Sequence, residues 1–448
     1  MQLGGYGQAG CLPDWPGNNS MRNLIDKTNL PPRRLLWLAI PTALLLAWLL
    51  YQIPPIHERL FWRVELARTY VRGIIYPAGP VPTPLAQLSA TPGPVLTATP
   101  TPTVTLTPVL SPTITPTVPS PTPLPSPTAI PAAAELPAPE YIKQTINNCG
   151  PATLAMNLKY YGWDGTQETV SELIKPVPED RNVNVEELAY YVRTQAGWLN
   201  LQYRVGGDME LLKKFIAAGI PVMIEESFYF EEPFWPNDDL WAAHYNLITA
   251  YDDERQVFTA QDSFYGQDRK VAYLKLDEYW QAFNRVYILI YLPQQEPTVQ
   301  AILGDNWDPD ANRQYALEAS QVETESDPDN PYAWFNLGSN LTYFERYFEA
   351  TSAFDKAREL GLPQRMLRYQ FSPFIAYFHS GLMDDLVTLV DYALKITPNS
   401  EEAWLWHGWA MYRKGDSNQA SVDFHRALEE NPLYLDAQYA IDFIQSNP

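Results

Sequence analysis

The sequence predicts an α+β globular domain followed by an all-α helical array, both carried behind one apolar helix and a proline-rich segment. Three observations predict this. Between residues 136 and 297, segments of helical spacing come first and a run of strand-like segments rich in β-branched and aromatic residues follows, the order expected of an α+β domain. From residue 310 to 448, large and small residues recur at an offset of 70. Ahead of both lie a long uncharged stretch and then a segment dominated by Pro and Thr.

The 448 residues carry a formal net charge of −21. The charge is uneven: residues 1–78 are net +4 and the remainder is −25. An acidic body has no basic face with which to displace counterions, so binding to nucleic acid is not expected. Residues 1–34 read as a loose tail rich in Gly, Pro and Asn. Leu35 to Ile53 carries no charge and predicts a single transmembrane helix over 35–53. Residues 54–78 follow as a juxtamembrane segment. Arg33 and Arg34 directly before the span favour an inside N-terminus, against Arg59, Arg63, Arg68 and Arg72 behind it. Residues 79–135 form a Pro/Thr-rich linker, with Glu135 its one charge. Without backbone donors or an amphipathic period it builds no core and predicts a disordered, extended stalk. A Thr/Pro stalk behind an anchor suggests a single-pass protein of the cell membrane with its C-terminal domains outside the cytoplasm.

Globular patterning occupies 136–297. "NVEELAYYVRTQAG" and "DMELLKKFIAAG" have helical spacing and end on Gly. "PVMIEES", "HYNLITAY", "QVFTAQDS" and "RVYILIYL" read as strands. "EESFYFEEPFWPNDDLWAAH" precedes the histidine and reads as a loop offering apolar subsites with a negative rim, or as an acidic surface loop whose aromatics pack on the domain.

The chemistry-bearing residues are few. Cys11 and Cys149 are too few for a disulfide framework. In "NNCGPATLAMNLKYYGW", Pro151 suits a first helical turn, which places Cys149 at a helix N-terminus where the dipole favours thiolate. A buried structural cysteine is the other reading. His244 is the one histidine between residues 58 and 378 and can act as its proton acceptor. A turn at Asp253–Glu254 folds "QVFTAQDS" back, bringing Asp262 beside His244 to orient the imidazole. Gln144, ahead of the helix, can offer its amide to a developing oxyanion. One Cys and one His cannot assemble a zinc site of the common types, and no phosphate-binding glycine loop is present, so no cofactor or metal is expected.

The motifs "Q…NNCGPATLAMNLKYYGW" and "GIPVMIEES…WAAHYNLITAYDDERQVFTAQDS" resemble the papain-like cysteine peptidases that remove double-glycine leaders from bacteriocins, closest to the stand-alone group with an NCGPA-type motif. The resemblance covers about 137–293. It implies a papain-like fold, Cys149 as nucleophile, His244 as base, Asp262 as orienting acid and Gln144 as oxyanion donor. That family's Gln often lies six residues before its Cys, whereas here the gap is five. This chain also carries no transporter.

In the last third, Trp334, Gly338, Ala350, Phe354 and Ala357 return 70 residues later as Trp404, Gly408, Ala420, Phe424 and Ala427, with His407 in place of Leu337 and Pro432 closing the second copy. Small residues let paired helices approach and large ones fill the gaps between pairs. The pattern resembles the tetratricopeptide repeat over 310–448, which implies an array that binds a protein partner. The short acidic connection near "GDNWDPDAN" is expected to hold the array against the domain before it. The sequence thus predicts a membrane-anchored cysteine peptidase acting on a peptide or protein substrate. A catalytically inactive peptide-binding adaptor and a thiol acyltransferase or amidase on the same fold are the alternatives.

Overall fold

The computed structural model describes residues 32–85, 130–175, 177, 180 and 182–446. Most of the expected N-terminal tail and the stretch 86–129 of the expected linker lie outside the described residues. The chain divides into two compact units, Met1–Arg68 and Thr69–Pro448.

The first unit contains α1 (Pro32–Tyr51) and most of α2 (Pro54–Ile75). Here the structure corrects an expectation. Among the described residues no helix is long and apolar enough to cross a membrane, so an anchor at Leu35–Ile53 is not supported. The reason lies in where the helix starts and stops. It opens on Pro32-Arg33-Arg34 and ends at Tyr51, while Gln52 and Ile53 turn away. The uncharged turns from Leu35 to Tyr51 therefore rise only about 25 Å, against the roughly 30 Å of a hydrocarbon core. The segment expected as juxtamembrane is largely the helix α2.

The second unit opens its globular part with β1 (Ala133–Glu135), α3 (Cys149–Tyr160), α4 (Gln167–Ile174), α5 (Val185–Gln195), β2 (Asn200–Arg204) and α6 (Met209–Ala217). Then come β3 (Val222–Tyr229), β4 (Trp241–Asp252), β5 (Val257–Asp262), β6 (Gly266–Ala272), α7 (Tyr273–Trp280) and β7 (Tyr287–Tyr291). This is the α+β order the sequence predicts. The strands form one antiparallel sheet in the order β2-β7-β3-β4-β5-β6, and β1 pairs with the far end of β4, Ala133 opposite Asp252. Alternation along β3 sends Val222 and Ile224 to one apolar cluster and Met223 to the other, so both faces of the sheet are covered. The helix α3 lies on the second face, where Leu154, Ala155, Met156 and Leu158 are fully buried with Tyr245 and Leu247 of β4. Thr153 Oγ1 donates to Tyr245 O at 3.0 Å and ties the helix to that strand.

Helices alone follow: α8 (Glu296–Leu303), α9 (Pro309–Ser326), α10 (Pro331–Tyr343), α11 (Tyr347–Leu360), α12 (Met366–Tyr369), α13 (Ser372–His379), α14 (Met383–Ile396), α15 (Glu401–Arg413), α16 (Ser417–Glu430) and α17 (Leu435–Ser446). The recurrence at 70 residues has a direct counterpart in packing. A Cβ on Gly338 of α10 would lie 2.6 Å from the Phe354 ring of α11, and one on Gly408 of α15 would lie 2.4 Å from Phe424 of α16. In both pairs only glycine admits the ring. Trp334 and Trp404 repeat the correspondence, donating Nε1–H to Pro328 O at 2.8 Å and Pro398 O at 2.9 Å.

These helices pack tightly on the sheet domain. Arg365, ahead of α12, donates to both carboxylate oxygens of Asp238 at 2.6 Å and to Trp241 O at 3.0 Å, with both charged side chains buried. Arg285 joins Glu323 of α9 at 2.5 Å, and Gln370 donates to Ala282 O at 2.8 Å. Arg204 of β2 donates Nε–H to Asn306 O at 2.9 Å and clamps the acidic connection to the sheet edge. Asp238 therefore belongs to the seam, and Trp235 and Trp241 are also buried, while Glu231, Glu232 and Asp239 of the same stretch stay exposed. The linker also starts later than expected: residues 79–85 are seated on the helices, and Ala133–Glu135 joins the sheet.

Candidate active site

Three elements converge on one point. The first is the N-terminus of α3. Asn148 occupies the N-cap position without a side-chain capping bond, and Cys149 is the first helical residue, with Pro151 in the first turn. The preceding loop turns sharply at Asn147, whose φ of 56° lies in the left-handed region that Asn tolerates. That loop is fixed by Thr145, whose N–H donates to Gln167 Oε1 at 2.8 Å, and by Asn148, whose Nδ2 donates to Thr145 Oγ1 at 2.9 Å. Among the described residues Cys149 is a free thiol, partly buried.

The second element is β4, which carries His244 with its side chain almost fully buried. The third is the end of β5. The β4–β5 hairpin forms as the sequence predicts, and His244 Nε2 lies 3.0 Å from Asp262 Oδ1. The same carboxylate oxygen accepts the N–H groups of Phe264 and Tyr265, each at 2.9 Å, and Oδ2 accepts from Arg269 Nη1 at 2.6 Å. With Nε2 engaged, Nδ1 is the imidazole nitrogen left for Cys149. Gln144 is tied to the same corner. Its N–H donates to Ser263 O at 2.9 Å, and its Oε1 accepts from Ser263 Oγ at 2.9 Å. The side-chain NH2 group is thereby turned away from Ser263.

The electrostatics follow from these contacts. Burial pushes the Cys149 thiol up, but the hydrogen bond and charge of His244, with backbone donation from Tyr245 and Gly150, outweigh it and the net direction is down. Burial pulls His244 down, yet Asp262 and Cys149 together raise it to about 10. Burial likewise raises Asp262, and the His244 bond with the two backbone N–H groups overrides it, holding the carboxyl well below the usual range. All three directions favour a thiolate beside an imidazolium beside a carboxylate. Such a set can attack an electrophilic carbon and return a proton to a leaving group.

Several neighbours were not foreseen from sequence. Arg269 lies across the β5–β6 hairpin, opposite Ala260, and that hairpin offered the signal: a basic residue seven positions after the acid. Glu226 is directly opposite His244 on β3, and its Oε1 accepts from Asn246 Nδ2 at 2.5 Å. Burial, partly offset by that bond, lifts its carboxyl to about 7. Glu225 lies on the other face, where burial and the neighbouring Cys149 hold it well above the carboxylate range. Beside the imidazole, Phe228 packs 5.1 Å from His244, and Phe264 and Tyr265 pack 5.0 and 5.4 Å from Phe228 while remaining exposed. An open hollow of about 550 Å³, lined in part by Glu140, Lys159, Tyr160 and Leu292, lies at the opposite end of α3 from Cys149. The array histidines are elsewhere: His379 stacks on Tyr347, and His407 Nδ1 lies 2.7 Å from Asp423 Oδ2. Among the described residues no group of three or more His, Cys, Asp or Glu is placed to hold a metal ion.

Comparison with known proteins finds a family match within the sheet domain. Residues 136–289 match the Peptidase_C39 like family. A solved structure described as a C39-like peptidase from Bacillus anthracis is 17% identical, covering 35% of this chain and 96% of its own, with a TM-score of 0.28. A double-glycine-motif protease from an AMS/PCAT transporter, solved with its leader peptide, is 16% identical over 36% of this chain and 94% of its own, TM-score 0.27. YrrB, a TPR protein with a peptide-binding site, is 18% identical over 29% of this chain and 82% of its own, TM-score 0.18. No curated protein matches the chain. Over about a third of its length the chain is thus similar to C39-type cysteine peptidases, with an α+β domain of mixed sheet and helices.

Proposed function

We propose that this domain is a cysteine peptidase that hydrolyses peptide bonds, with Cys149 as nucleophile, His244 as proton carrier and Asp262 as the group that orients it. The observation that carries the reading is the continuous chain from the thiol at the α3 N-terminus through a buried imidazole to an ionised carboxylate. The Cys149 Sγ thiolate attacks the scissile carbonyl carbon, and the carbonyl π pair moves onto oxygen. The Cys149 N–H and the Gln144 amide donate to that oxyanion. When the C–N bond breaks, the imidazolium gives its proton to the leaving amine. His244 then takes a proton from water, whose oxygen attacks the thioester, and the acid leaves as the thiolate is restored.

The substrate is a peptide or protein. The exposed rings of Phe264 and Tyr265, packed on Phe228, which itself packs on the imidazole, favour an apolar side chain near the scissile bond. The helices from Pro309 onward serve as a tetratricopeptide-type array that selects a protein partner, supported by the matched Gly338–Phe354 and Gly408–Phe424 contacts. Turnover of a mixed peptide library by the full chain and by Cys149→Ala tests the reading. The variant should melt like the wild type and cleave nothing. Equal cleavage by both would end the peptidase assignment for Cys149.

A further inference from the structure

The segment Gly79–Leu85, "GPVPTPL", is held on the helical array in the manner of a bound peptide. Arg358 of α11 is the centre of its site, with a side chain only 1% exposed. One side of the guanidinium braces the array: Nη1 donates to Tyr377 OH of α13 at 2.8 Å and to Asp385 Oδ1 of α14 at 3.0 Å. The other side faces the segment, with Nε donating to Pro82 O at 2.8 Å and Nη2 to Thr83 O at 3.0 Å. Asp385 Oδ1 also accepts the Leu85 N–H at 3.1 Å, and Tyr392 OH donates to Gly79 O at 2.9 Å. Val81 is the apolar anchor, 3% exposed within the main core cluster.

Every one of these polar contacts is made by an array side chain to the backbone of the segment. The site therefore reads an extended main chain and one apolar side chain. Proline at 80, 82 and 84 suits it, because each lacks an N–H that the groove would have to satisfy and each favours the extended conformation. The segment carries no charge from Tyr76 to Leu85, which matches a guanidinium already balanced by Asp385. The docked tetrapeptide Pro82-Thr83-Pro84-Leu85 also recurs in this chain at Pro121-Thr122-Pro123-Leu124.

We propose that this groove, centred on Arg358, is a docking site for an extended, uncharged, proline-spaced peptide of a partner protein. The chain's own Gly79–Leu85 fills it, and the partner binds by displacing that segment. The groove makes no use of Cys149, so this proposal stands apart from the peptidase reading.

The test is fluorescence anisotropy with a labelled peptide of residues 76–85 added to the full chain. The wild type should bind weakly, because its own copy competes at high effective concentration. Val81→Asp places a charge at the buried anchor and frees the groove, and should bind the same peptide at least about ten-fold more tightly. In that background Arg358→Ala should abolish binding. Because Arg358 also braces the array, Tyr392→Phe is the companion variant: it removes only the hydroxyl that reaches Gly79 and should weaken binding several-fold. A peptide carrying the Val81→Asp change should not bind. Equal binding by wild type and Val81→Asp, no binding by either, or binding unchanged by Tyr392→Phe and Arg358→Ala would overturn the proposal.

Discussion

Replacing Asp262 with Asn tests the electrostatic chain where it is most exposed to measurement. The carboxylate lies 3.0 Å from His244 Nε2 and, with Cys149, overcomes the pull of burial to raise that imidazole from 6.5 to about 10. At 1.36 kcal/mol per pH unit, that rise is worth roughly 5 kcal/mol in favour of the imidazolium. Asp262 and Cys149 share it against the cost of burial. The substitution removes Asp262's share, so it should lower His244 by at least about one pH unit, on the order of 1.4 kcal/mol. The coupling is reciprocal, so the Cys149 thiol rises as its cationic neighbour weakens. The sign follows. His244 is raised, so the ion pair persists below its folded value and is lost as pH rises through about 10. Cys149 is lowered, so the acid edge lies below the ordinary thiol value of 9.0. In Asp262→Asn both edges should move inward. The assay is the rate of Cys149 alkylation by iodoacetamide across pH, which follows the thiolate fraction and so reads the acid edge. Profiles that superimpose for wild type and variant would refute the assignment of Asp262 as the group that sustains the pair.

Other consequences concern stability. Arg365→Ala should strand Asp238 as a buried unpaired carboxylate at the seam between sheet domain and helices, costing about 3–5 kcal/mol in urea unfolding; a loss within error would mean the seam does not depend on this pair. Gly338→Ala and Gly408→Ala each force a methyl group to within 2.6 and 2.4 Å of a phenylalanine ring, and each should lower stability by roughly 1–3 kcal/mol. Their costs should be similar if the two helix pairs are equivalent. Asp262 is held below its ordinary 3.8, so its contribution to stability is present above that value and drains away as pH falls below it. Acid unfolding of Asp262→Asn should accordingly show a shallower pH dependence than the wild type.

The core of the candidate site was legible because its geometry is local. A helix start at Cys149 follows from Pro151 and the apolar spacing behind it, and the His244–Asp262 approach follows from one hairpin turn. The helix pairing was legible because the Gly and Phe of each pair stand at fixed spacing, so one steric requirement is written twice. The seam had no such signal. Asp238 and Arg365 are 127 residues apart, and no local spacing or motif links them. The docking of Gly79–Leu85 was hidden for a related reason: a proline-rich composition shows that a segment builds no core of its own, but not that another element receives its backbone. The apolar stretch at Leu35–Ile53 misled because hydropathy does not show where the helix begins and ends.

The central claim is that Cys149 is a nucleophile made reactive by His244. An electrophilic peptide probe added to the full chain, with the adduct located by tandem mass spectrometry, tests it most directly. The account predicts labelling of Cys149 in preference to Cys11. It also predicts that His244→Ala loses most of that labelling at neutral pH while the fold persists. Labelling of Cys149 at the same rate without His244, or its absence in the wild type, would contradict it.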